Sequence, residues 1–77
     1  MYNLEFSKTA EKQIYKLERD IQIRIISTLE RIRVRPYASV KRLVGSPYFR
    51  LRVGDHRVIL NIKEKQLLII VIEVGHR

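Results

Sequence analysis

The chain has 77 residues, no cysteine, and 16 Lys+Arg against 8 Asp+Glu, a formal charge of +8. That length predicts a single domain over 1–77 with a small core. The lack of cysteine excludes disulfides and zinc–thiolate sites, and the basic excess points to a polyanionic partner, nucleic acid before membrane.

Tyr2–Phe6 alternates apolar and polar residues and is expected to form a short strand. Ser7 is placed to cap a helix carrying Glu11 in its first turn, and Ala10, Ile14 and Leu17 form one apolar face. Glu18-Arg19-Asp20 reads as a break, with Asp20 as the cap of a second helix. Ile21, Ile25, Leu29 and Ile32 make the second stripe, with Ile26 beside it. Ile23 and Val34 fall off that stripe and are expected to be exposed or to cover an edge. Pro36 ends the helix. Tyr37–Pro47 is the one candidate long loop.

The period then changes from helical to two. Phe49, Leu51 and Val53 alternate with Arg50 and Arg52, and Gly54-Asp55 supplies a tight turn into a strand over His56–Ile62. Lys63–Gln66 is a polar turn, and Leu67–Val74 is an almost wholly apolar last strand, expected near the middle of the sheet. The order is β-α-α-β-β-β. It predicts an α+β fold in which two N-terminal helices pack on one face of a mostly antiparallel four-stranded sheet. The longest apolar run, Leu67–Ile72, is far short of the roughly 20 residues that span a bilayer. A soluble cytoplasmic protein with no membrane partner is expected.

The charge is not evenly spread. From Arg31 to Arg57 Asp55 stands alone among Arg31, Arg33, Arg35, Lys41, Arg42, Arg50, Arg52 and Arg57, whereas the N-terminal part mixes signs. The guanidinium fork matches phosphate oxygens in pairs, so this preference for arginine suits phosphate binding. Residues two apart on a strand share a face, which puts Arg50 and Arg52 together. A tight turn brings Arg57 of the next strand beside Arg52. Lys41, Arg42, Arg33 and Arg35 are further candidate RNA contacts. Tyr48 and Tyr37 are placed either to stack on a base or to close over the core.

Four segments resemble the RelE/ParE toxins of toxin–antitoxin pairs. They are Phe6-Ser7-Lys8-Thr9-Ala10, Lys41-Arg42-Leu43-Val44-Gly45, the hairpin from Phe49 to Ile59, and the closing Val74-Gly75-His76-Arg77. The resemblance implies a sheet carrying two N-terminal helices. It implies one of two activities: metal-independent cleavage of mRNA on the ribosome, or inhibition of DNA gyrase without catalysis. It also implies a cognate antitoxin, expected to be acidic and to bind through an amphipathic helix. Arg50, Arg52, Arg57 and Arg77 match the family's arginines, and His76 matches a position that is histidine in some members. In the family a tyrosine follows several residues later, beyond the last residue of this sequence. A third reading is a weakly active or inactive member that binds only its antitoxin or RNA.

For RNA cleavage the arginines would stabilise charge developing on the phosphate. An arginine stays protonated at working pH, so none can act as the base. The proton carriers near the motif are His76, favoured for its place beside Arg77, then His56 and Glu73. His56 is expected to pack with Val58 and Leu60, and Glu73 to pair with an arginine. No metal-ligand cluster and no cofactor motif stand out, and none is expected.

Overall fold

A computed structural model describes residues 1–76. Strand β1 (Asn3–Phe6) leads into α1 (Lys8–Tyr15) and α2 (Arg19–Ile32). A 3₁₀ turn at Pro36–Ala38 precedes β2 (Lys41–Arg42), β3 (Phe49–Val53) and β4 (His56–Lys63). A second 3₁₀ turn, Glu64–Gln66, joins β4 to β5 (Leu68–His76). The strands form one sheet in the order β1-β5-β4-β3-β2. Only β1 and β5 run parallel; the other pairs are antiparallel.

The sheet has five strands rather than the expected four. The added strand is β2, inside the segment read as a loop. It has two residues, too few to show an alternating pattern, and it exists because β3 offers a free edge. Its return is closed by Leu43 N–H donating to Tyr48 O at 3.0 Å and by Gly45 at φ 72°.

Ser7 caps α1 as expected, its Oγ accepting from Ala10 N–H at 3.0 Å. The cap of α2 is Glu18, not Asp20, which lies in the first turn. The break between the helices is held by Gln22. Its Nε2 donates to Leu17 O at 2.8 Å and to Tyr15 O at 3.2 Å, satisfying carbonyls that α1 leaves open at its end. Arg33 closes α2 against the N-terminus: Tyr2 N–H donates to Arg33 O, and Arg33 Nε donates to Tyr2 O at 2.7 Å.

Both helices cover one face of the sheet. Ala10, Ile14, Ile25, Leu29 and Ile32 meet Leu51, Val53, Val58, Leu60, Ile62, Ile69, Val71 and Val74 in the core. Ile23 and Val34 are exposed, as their places off the stripe imply. The last strand is internal, between β1 and β4, while β4 holds the centre.

One irregularity in β5 determines the faces of the site. Ile59 pairs with Glu73 but the next residue, Leu60, pairs with Val71, so Ile72 is an extra residue. The bulge lies where β1 has ended, and α1 takes over its polar groups. Ser7 N–H donates to Val71 O, Ser7 Oγ donates to Ile72 O at 2.6 Å, and Val74 N–H donates to Gln13 Oε1 at 2.6 Å. Ser7→Ala removes both the cap and the bond to the bulge. A loss of about 1–2 kcal/mol is expected in urea unfolding. A midpoint equal to that of the unsubstituted chain would show that Ser7 does not hold this junction.

Candidate nucleic-acid interface

Cross-strand partners share a face, so the register reads out the open side of the sheet directly. One row runs Lys41, Arg50, Ile59, Glu73 across β2, β3, β4 and β5. The next runs Arg52, Arg57, Gly75. Three arginines and a lysine thus occupy adjoining positions on the face away from the helices. The sequence pattern already paired Arg50 with Arg52 and placed Arg57 opposite Arg52. The contribution of Lys41 depends on β2, and no pattern announced it.

Two clefts divide this cluster. The larger, of about 270 Å³, is lined by Ser39, Lys41, Arg50 and Arg52. The smaller, at the hairpin tip, is lined by Arg52, Gly54, Asp55, His56 and Arg57. Arg52 borders both. Ile59 lies on the open face yet is only 9% exposed. Its cross-strand neighbours on that face are Arg50 and Glu73, whose stems are long enough to cover apolar surface.

The charges on this face are not neutralised internally. Among the described residues the one ion pair joins Arg33 to Glu30 at 2.6 Å, on the helix layer. Neither Asp55 nor Glu73 lies at ion-pair distance from Arg50, Arg52 or Arg57, so the expected pairing of Glu73 with an arginine is not made to any of these three. Arg52 and Arg57 stand directly opposite each other, where like charges destabilise a strand pair. An anion lying between them would relieve that repulsion.

The bulge at Ile72 rearranges the remaining candidates. Plain alternation from Val71 would put Glu73 toward the helices and His76 on the open face. With one extra residue, Val74 and His76 face the helices, and Glu73 and Gly75 face outward. His76 pairs with His56, and the two rings meet edge to face at 4.9 Å between centroids. His56 is 8% exposed and packs on the core side with Val58 and Leu60. The structure therefore sets His76 on the opposite side from Arg50, Arg52 and Arg57. It sets Glu73 on their side, two strands from Arg50, roughly 10 Å by strand spacing. Arg77 lies outside the described residues.

The other basic candidates disperse. Arg42 faces the helix side and its guanidinium lies over the Phe49 ring, 5.4 Å from the centroid. Arg33 is occupied by Glu30 and the Tyr2 carbonyl. Arg35 is exposed ahead of the first 3₁₀ turn. Tyr48 is half-buried, with its backbone N–H bonded to Ser46 Oγ at 3.1 Å. Tyr37 packs edge to face on Phe49 at 5.5 Å. Partial burial, and then the Glu64 carboxylate, raise its phenol above the ordinary tyrosine value. No group of three or more His, Cys, Asp or Glu among the described residues is placed to hold a metal ion. No helix is long and apolar enough to cross a membrane.

The fold and this arginine face can be set against known proteins. The family model described as the ParE toxin of the type II toxin–antitoxin system parDE matches residues 4–77. The chain belongs to that family. It is a toxin of the RelE/ParE superfamily, from a type II toxin–antitoxin system.

Solved structures agree with the RelE-like fold. The RelBE2 toxin–antitoxin complex of Mycobacterium tuberculosis is similar at TM-score 0.88 and 23% identity, covering 99% of this toxin and 98% of that chain. The archaeal RelE–RelB complex from Pyrococcus horikoshii gives 0.86 and 23%, covering 99% and 94%. The intact RelBE complex of Escherichia coli gives 0.84 and 24%, covering 100% and 98%. At these identities the likeness establishes the fold. No curated protein matches the toxin by sequence.

Because Arg52 and Arg57 repel across the hairpin, Arg57→Gln is expected to leave the toxin folded. It should gain about 0.2–1 kcal/mol at low ionic strength. The gain should shrink as salt screens the pair. Thermal melts at two salt concentrations measure this, and a salt-independent loss of stability would contradict the electrostatic account.

Proposed function

We propose that this toxin is a metal-independent endoribonuclease that cleaves mRNA on the ribosome, using the open arginine face to hold the scissile phosphate. The observation that supports the reading is the placement of Lys41, Arg50, Arg52 and Arg57 on one face, with no carboxylate of the described residues at ion-pair distance. Cleavage needs a proton removed from a ribose 2′-hydroxyl, attack of that oxygen on the adjacent phosphorus, and a proton delivered to the departing 5′-oxygen. Charge accumulates on the phosphate during attack, and fixed guanidinium groups aimed at it lower the barrier. Arg77, carried over from the family resemblance, would add to the same charge.

The proton carrier we assign changes with the geometry. Glu73 shares a row with Arg50 on the open face, whereas His76 faces the helices. A carboxylate at that place can accept the 2′-hydroxyl proton. Arg57→Ala is expected to lower cleavage by about 10²–10³-fold with the fold retained. Glu73→Gln should lower cleavage strongly while RNA binding persists. Ribosomes programmed with mRNA, and mapping of the cut ends, provide the measurement. Wild-type cleavage by the Arg57→Ala variant would remove the proposal's basis.

The second reading is gyrase inhibition without catalysis. Two observations favour it: the matching family is that of ParE, and the histidine expected beside the arginines lies on the other face. Induced expression separates the two. Translational arrest with cut mRNA supports the nuclease; DNA damage with intact mRNA supports the inhibitor.

We also assign the toxin a cognate antitoxin, acidic and binding through an amphipathic helix. The +8 charge supports this, as do structural relatives that are themselves toxin–antitoxin complexes.

A further inference from the structure

We propose that the cleft on the helix side of the β3–β4 hairpin tip is a second phosphate-binding site. It would take the backbone of the same polynucleotide as it rounds the tip. The inference rests on the nucleic-acid reading of the arginine face and extends it to residues that reading does not use.

The cleft, of about 170 Å³, is lined by Ile21, Arg24, Val53, Gly54, Asp55, His56 and His76. Ile21 and Val53 form its apolar floor. Three side chains able to carry positive charge converge on it from three elements: Arg24 from α2, His56 from β4 and His76 from β5. The one acid among its lining residues is Asp55 in the turn, and it forms no ion pair with Arg24. The volume falls below the range of drug-sized pockets and suits a small anion such as a phosphoryl group.

The position of Arg24 is fixed by the hairpin. A Cβ at residue 54 would lie 3.2 Å from Arg24 Nη1, so the guanidinium rests against the bare Gly54 backbone. Gly54 has φ 59°, which the turn requires and glycine adopts without strain. The same three residues, Gly54, Asp55 and His56, also line the cleft that holds Arg52 and Arg57 on the other side. The two clefts are therefore adjacent around a tip one turn thick. A phosphate beside Arg57 and another beside Arg24 belong to one continuous track. Arg52 and Arg57 face the first, Arg24 and His76 the second, and Asp55 and His56 border both.

The test uses the whole toxin and a short 2′-O-methyl oligoribonucleotide, which cannot be cleaved, with inorganic phosphate as a separate arm. Fluorescence anisotropy reads affinity against salt, and NMR reads the imidazole signals of His56 and His76. Arg24→Gln should weaken oligonucleotide binding several-fold and lower the salt slope by about 0.7, the share of one phosphate contact on a single strand. Arg24→Lys should restore most of it.

Unchanged affinity and slope in Arg24→Gln overturn the tip site. So does a shift of the imidazoles by phosphate but not by oligonucleotide, which leaves a site for free anions only. Arg57→Gln reads the sheet face by itself: if it weakens binding while Arg24→Gln does not, the track proposal fails and the arginine face stands.

Discussion

The extra residue at Ile72 decides which chemical groups share a surface. Before it, Ile69 and Val71 point to the core; after it, Val74 and His76 do. Without it, the end of β5 would turn over, placing an acid against the helices and an imidazole among the arginines. A bulge leaves backbone groups without ladder partners, and burying them unpaired is costly. Here the first turns of α1 supply the partners through Ser7 and Gln13. Helix α1 therefore does more than cover apolar surface. It fixes the phase of the strand that carries the end of the site.

That arrangement sits inside a small energetic margin. A domain of this size has few buried residues to set against the entropy of folding. It nevertheless holds like charges directly opposite one another at Arg52 and Arg57. The repulsion is modest, because both groups reach water and their positive ends can diverge. Ile59, nearly covered among them, recovers part of the cost by burying apolar area on the open face. The face is electrostatically unfavourable in isolation and favourable around an anion, as a binding surface built on arginine must be.

Most of the architecture was legible because the two periods are clean. The helical stripes ending in Ile14 and in Ile25, Leu29 and Ile32, the hairpin at Gly54-Asp55, and the face shared by Arg50 and Arg52 follow from spacing alone. Three features were not legible, each for its own reason. Strand β2 is set by pairing, not by pattern, since two residues have no period. The bulge lies within an apolar run, where Ile69 to Ile72 look alike whichever way each points. Arg24 reads as one more solvated helix residue until the hairpin tip is folded against it. Non-local contact, not composition, creates all three.

The choice of arginine on the open face has a further consequence. Guanidinium groups keep their charge across the accessible pH range, so their attraction for phosphate depends on salt and hardly on pH. The proton carriers of β4 and β5 stand on separate faces: Glu73 on the arginine side, and the His56–His76 pair on the other. Alternation keeps Glu73 and His76 on opposite faces of the strand, and the bulge decides which face each takes. If the open face performs the proposed cleavage, the bulge is what gives that face a carboxylate in place of an imidazole. Losing the bulge register would exchange them.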